Sequence, residues 1–124
     1  MKSNYHFKFE DLSVYQKAMD FGELINTLVI KFPQHELYAL SSQFRRAADS
    51  IALNISEGYP GSDPQFIKHI NYAIYSSNEC VSCSTKAKRR SYISNEEDEE
   101  NRKYLSELTK MLSSLRNKIQ ERNN

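Results

Sequence analysis

The chain has 124 residues, which allows one domain with a thin core. Seventeen Lys and Arg face sixteen Asp and Glu, a net charge of +1, so no global field draws in nucleic acid or membrane and any such contact needs a local patch. No window approaches the roughly 18 apolar residues of a membrane span, no signal-peptide core opens the chain, and two cysteines are too few for a disulfide scaffold, so the expectation is a cytoplasmic protein.

With only 3 Gly and 3 Pro, long stretches run without a breaker. The first covers residues 12–31, where Val14, Ala18, Phe21, Ile25, Leu28 and Phe32 draw one stripe down a helix. Asp11 is placed to cap it, and Phe32-Pro33 ends it, because a residue before proline disfavours the α region. The second covers residues 36–57, with Leu37, Leu40, Phe44, Ala47, Ile51, Asn54 and Gly58 at heptad spacing and Ala48 and Ile55 beside them. Gly58 stands where a C-cap glycine belongs.

Tyr59-Pro60-Gly61-Ser62-Asp63 is a strong loop signal. Asp63-Pro64 then reads as a cap followed by a proline at the first helical position. The third helix is expected over residues 64–90, with Phe66, Ile70, Ala73, Ser77, Cys80, Ser84 and Ala87 facing inward. A second stripe, Ile67, Ile74 and Val81, repeats at intervals of seven and is a candidate surface for self-association. The fourth helix is expected over residues 95–120. Ser94 and Glu97 form a capping box, and Leu105, Leu108, Leu112, Leu115 and Ile119 form the stripe. Residues 121–124 read as a frayed end. Four amphipathic helices on three short connections predict an all-α, antiparallel up-down-up-down four-helix bundle filling residues 1–124 as a single domain.

The segment from Gln43 to Gly58, QFRRAADSIALNISEG, resembles the signature of the four-helix bundle family associated with intervening sequences of bacterial 23S ribosomal RNA, labelled "S23 ribosomal protein". Phe9 to Ala18, Phe32-Pro33, Ser77-Asn78-Glu79 and Tyr92-Ile93-Ser94 fit the same family, so the resemblance spans about residues 9–119. It is related to the accessory variability protein of diversity-generating retroelements. The resemblance implies a bundle that commonly forms a homopentameric ring and, among the retroelement relatives, binding to nucleic acid and to a reverse transcriptase. It brings no catalytic residues. The loop after Glu57-Gly58 lacks the cations that family members often place there.

The residues themselves offer little chemistry. Cys80 and Cys83 form a C-x-x-C in mid-helix, where no helix N-terminus stabilises a thiolate. His6, His35 and His69 are scattered, and no Glu-x-x-His motif occurs. Neither an enzyme, a metal nor a cofactor is expected. Glu57 and Glu79 read as structural carboxylates, bonded to Arg45, Arg46 or helix ends. Asn54, on the apolar stripe, reads as a buried amide that fixes register.

The candidate nucleic-acid-binding residues are Arg45, Arg46, Lys68, Lys86, Lys88, Arg89 and Arg90. Arg45 and Arg46 point about 100° apart on a helix, so they serve different partners. Residues 64–90 carry five cations against one anion, Glu79. The acidic run Glu96 to Glu100 follows closely, and either neutralises the basic helix end or leaves it free for phosphates. Tyr15, Tyr72 and Tyr104 suit base stacking or packing equally. Two readings follow: a homo-oligomeric bundle associated with RNA or DNA, and a protein-binding or scaffolding oligomer without nucleic acid.

Overall fold

A computed structural model describes residues 2–122. Its four helices are α1 (Ser13–Val29), α2 (Leu40–Gly58), α3 (Asp63–Arg89) and α4 (Asn95–Glu121), with 3-10 turns at Lys8–Asp11 and Gln34–Glu36. Each helix borders the next, α4 borders α1 over a smaller stretch, and the backbones of the two diagonal pairs stay apart among the described residues. That ring order is the expected up-down-up-down bundle. Cross-links descend on one helix as they climb on its neighbour, as Gln43–Glu79, Ser50–Ser76 and Asn54–His69 do between α2 and α3, so adjacent helices run antiparallel.

The predicted stripes make the core. Phe21, Phe44, Ile25, Ile51, Ile55, Ile70, Leu105, Leu108 and Leu112 are its largest sealed side chains. Burying each is worth roughly 1.5–3 kcal/mol. Leu37 departs from its stripe and stays exposed, because the chain leaves the helical path between Glu36 and Leu40.

The helix ends differ from expectation in instructive ways. α1 ends at Val29, short of residue 31, and its N-cap is Leu12, without a side-chain cap. Asp11 instead accepts from His6 Nε2 at 2.8 Å and pairs with Lys2 Nζ at 3.4 Å. α2 starts at Leu40, four residues later than expected, because the Glu36 carboxylate turns inward. Gly58 is the last helical residue and has no positive φ. Its role is spatial: a Cβ there would stand 2.5 Å from His69 Cβ, so the missing side chain lets α3 approach α2.

At the start of α3, Ser62 is the cap and accepts from the Gln65 N–H at 3.4 Å. Asp63 lies inside the helix and receives both Nε and Nη2 of Arg122, at 3.0 and 2.6 Å. That pair pins Arg122, within the end expected to fray; Asn123 and Asn124 lie outside the described residues. α3 closes through Ser91, at φ 63°. The Ser91 and Tyr92 N–H groups return to the carbonyls of Lys88 and Ala87, both at 2.9 Å, which is a Schellman closure. The α4 capping box is present as expected. The Ser94 N–H donates to Glu97 Oε1 at 2.9 Å and the Glu97 N–H to Ser94 Oγ at 3.0 Å.

Candidate nucleic-acid interface

The basic run at the end of α3 divides by the direction each side chain takes. Lys88 and Arg90 turn toward the bundle. Lys88 Nζ lies 3.4 Å from Asp98 Oδ2, and Arg90 Nη1 lies 2.7 Å from Glu36 Oε2. Lys86 and Arg89 are exposed and have no ion pair among the described residues. The acidic run therefore neutralises the helix end only in part. Asp98 takes Lys88 and Glu97 pairs with Lys31 at 2.6 Å, while Arg90 goes to Glu36, far away in sequence.

Two buried carboxylates organise this end of the bundle. Asp98, 1% exposed, accepts from Ser84 Oγ at 2.7 Å and from Arg102 Nε at 2.9 Å, and Asn101 Nδ2 donates to Ser84 Oγ at 3.0 Å. Burial pushes the Asp98 carboxyl upward, but the Ser84 and Arg102 hydrogen bonds and the Arg102 and Lys88 charges outweigh it and hold it below the usual carboxylate range. Glu36, 5% exposed, accepts from the Tyr92 hydroxyl at 2.8 Å as well as from Arg90, and from the Leu40 N–H at 3.4 Å. The Tyr92 hydrogen bond chiefly holds the Glu36 carboxyl low, against its burial, with Leu40 and Arg90 assisting. Glu36 thus ties the α1–α2 connection to the α3–α4 connection.

Asp98 and Asn101 extend the α4 apolar stripe backward at spacings of three and four. That periodicity was the signal that could have marked both as inward-facing. Glu36 left no such signal, since its partners are distant in sequence.

The outward face of α3 carries Lys68, Tyr72, Tyr75, Glu79, Ser82, Lys86 and Arg89, all exposed and spaced alternately by four and three. The line spans about 31 Å at 1.5 Å per residue. Lys68 therefore lies far from Lys86 but on the same face. Its Nζ stands 5.8 Å from the Tyr72 ring centre, and the Tyr72 and Tyr75 rings are 6.4 Å apart. Tyr15 and Tyr104 resolve the other way: Tyr15 packs edge-on to Phe9 at 5.1 Å, and Tyr104 packs on Phe21 at 5.2 Å with Lys17 Nζ 4.5 Å from its ring.

On α2, Arg45 is half-buried and Arg46 exposed, and neither forms an ion pair among the described residues. Glu57 and Glu79 therefore do not use them. Glu57 lies 3.9 Å from His69 Nδ1, and Glu79 accepts from Gln43 Nε2 at 3.5 Å. Asn54 is half-buried, not sealed in the core; its Nδ2 donates to the Ser50 carbonyl at 2.9 Å and its Oδ1 meets His69 Nδ1 at 3.0 Å. Ile67, Ile74 and Val81 are partly buried against the core. The most exposed large apolar and aromatic side chains are Tyr38, Tyr5 and Ile30, at 93%, 84% and 77%.

Cys80 and Cys83 are buried, free thiols. Burial raises the Cys80 thiol beyond any useful range and pushes Cys83 up to about 11, so neither is primed as a nucleophile. Among the described residues no group of three or more His, Cys, Asp or Glu is placed to hold a metal, and no helix is long and apolar enough to cross a membrane.

Fold and surface together define an antiparallel four-helix bundle with a sealed polar end and an open face of cations and tyrosines. The chain belongs to the 23S rRNA-intervening sequence protein family, whose model matches residues 10–114. A solved structure agrees: the crystal structure of a protein of unknown function from the S23 ribosomal protein family of Bacteroides thetaiotaomicron VPI-5482 is 27% identical. It superposes with a TM-score of 0.78 over 84% of this chain and 95% of that one. No curated protein matches the chain.

Proposed function

We propose that this is a non-enzymatic, homo-oligomeric bundle that associates with RNA through the exposed face of α3. The observation that carries the reading is the unpaired state of Lys86 and Arg89 on the same line as Lys68, Tyr72 and Tyr75. Unpaired cations neutralise phosphates, and exposed aromatic rings stack bases irrespective of sequence. The family's description, which places its members with an intervening sequence of 23S rRNA, supports RNA over DNA. Self-association is supported by exposed Ile30 and Leu53, which a monomer leaves in water, and a ring of five copies is the expected assembly.

The test is fluorescence anisotropy with a structured RNA hairpin across a salt series, alongside light scattering. Affinity should fall steeply with salt. Replacing Lys68, Lys86 and Arg89 with Ala should flatten the log–log salt slope by about 2–3, at roughly 0.7–0.9 per phosphate contact. Absence of binding at low salt sinks the RNA reading, and a strictly monomeric mass sinks the oligomer. An oligomer that ignores RNA would favour the scaffolding alternative.

A further inference from the structure

Tyr38 is the most exposed large apolar or aromatic side chain among the described residues. It borders a groove of about 500 Å3 between the start of α2 and the middle of α3. Ser42, Gln43, Arg46 and Ser50 line one wall and Glu79 the other. The lining combines an aromatic face, a guanidinium without an ion pair, and a carboxylate whose one hydrogen bond, from Gln43 Nε2, is long at 3.5 Å. Lys86 lies two turns beyond Glu79 on the same face of α3, about 10 Å away.

These groups match the parts of one nucleotide. Sequence-specific RNA contacts target unpaired residues, whose bases splay out, stack on aromatic rings and bond along their Watson–Crick edges. We infer that the Tyr38–Arg46–Glu79 groove is a receptor for a single unpaired guanosine in RNA. The base stacks on Tyr38. Its N1–H and N2–H donate side by side to the Glu79 carboxylate, a two-donor match that uridine, with one N3–H between two carbonyl oxygens, cannot make. Arg46 and Lys86 take the flanking phosphates, with Arg46 keeping the groove neutral beside Glu79. The inference rests on the RNA reading and adds to it a preference for bulges or loops over duplex.

Two hairpins separate the claims, one fully paired and one identical except for a single bulged guanosine. Wild-type protein should bind the bulged hairpin more tightly. Tyr38→Ala should weaken that complex about tenfold and leave the paired hairpin unchanged, while Tyr38→Phe, which keeps the ring, should bind as wild type. Glu79→Gln should erase the advantage of a bulged guanosine over a bulged uridine. Equal binding of both hairpins with a silent Tyr38→Ala overturns the groove assignment and leaves the RNA reading standing. A Tyr38→Ala variant that changes the assembled mass but not RNA affinity would place Tyr38 in a subunit contact and also overturn it. Binding to neither hairpin removes both claims.

Discussion

Residues 86–90, where α3 closes, hold two pairs of cations with opposite fates. Lys88 and Arg90 reach inward to Asp98 and Glu36, carboxylates that are themselves buried. Lys86 and Arg89 reach outward and meet no partner among the described residues. Four like residues, close together in sequence, thus do two jobs, because a helix turns each about 100° from the last. Buried carboxylates demand their cations, since an unmatched buried charge is costly, whereas a solvated cation demands nothing and remains free for a ligand.

The sharpest way to break this contrast is to remove the inner acceptor. Asp98→Ala leaves Ser84, Arg102 and Lys88 without their shared carboxylate and should cost about 3 kcal/mol in urea unfolding, the low end for breaking a buried pair because Arg102 and Lys88 are partly solvated. The outer pair supplies the control: Lys86→Ala with Arg89→Ala should change stability by less than about 0.5 kcal/mol.

Next in size is Gly58→Ala at the other end of the α2–α3 seam, which should cost about 2 kcal/mol by forcing the helices apart. His69→Ala should not rescue it, because the clash is with the Cβ that alanine retains. Rescue would show that the seam is governed by the imidazole and not by backbone approach.

Acid gives a graded version of the first test. Asp98 is held below its ordinary value of 3.8, so its contribution is complete above that pH and is lost as pH falls through the lower, folded value. Glu36, held below 4.5, acts in the same direction. Stability should therefore decline below about pH 4.5, and Asp98→Asn should reduce the steepness of the decline. An unchanged slope would exclude Asp98 as the acid-labile group. A smaller effect is a gain: Ser91→Gly relieves a left-handed residue at φ 63° and should add about 0.5–1 kcal/mol, less than the full conformational penalty because glycine also loosens the unfolded chain.

The fold was readable because its signals are local. Stripes, the Ser94–Glu97 box and the turn chemistry depend on residues within a few positions of one another, and they located four helices to within about four residues at each end. What sequence could not supply was long-range pairing. Asp11, Asp63 and Gly58 each suited a cap by local rules, yet His6, Arg122 and His69 gave them other roles. In the candidate interface, the seven cations were nameable, but the separation of Lys88 and Arg90 from Lys86 and Arg89 depended on Asp98 and on the distant Glu36. Tyr38 and Tyr75 gave no warning, because exposure of a tyrosine is a property of the packed bundle.

The paired thiols of α3 make the molecule its own recorder. Cys80 and Cys83 are sealed against the neighbouring helices, and their burial keeps both protonated at neutral pH. An alkylating reagent can mark them only when α3 lifts from the bundle, so the pace of labelling counts those openings directly. Added RNA that clamps the outer face of α3 would slow that clock without touching either sulfur.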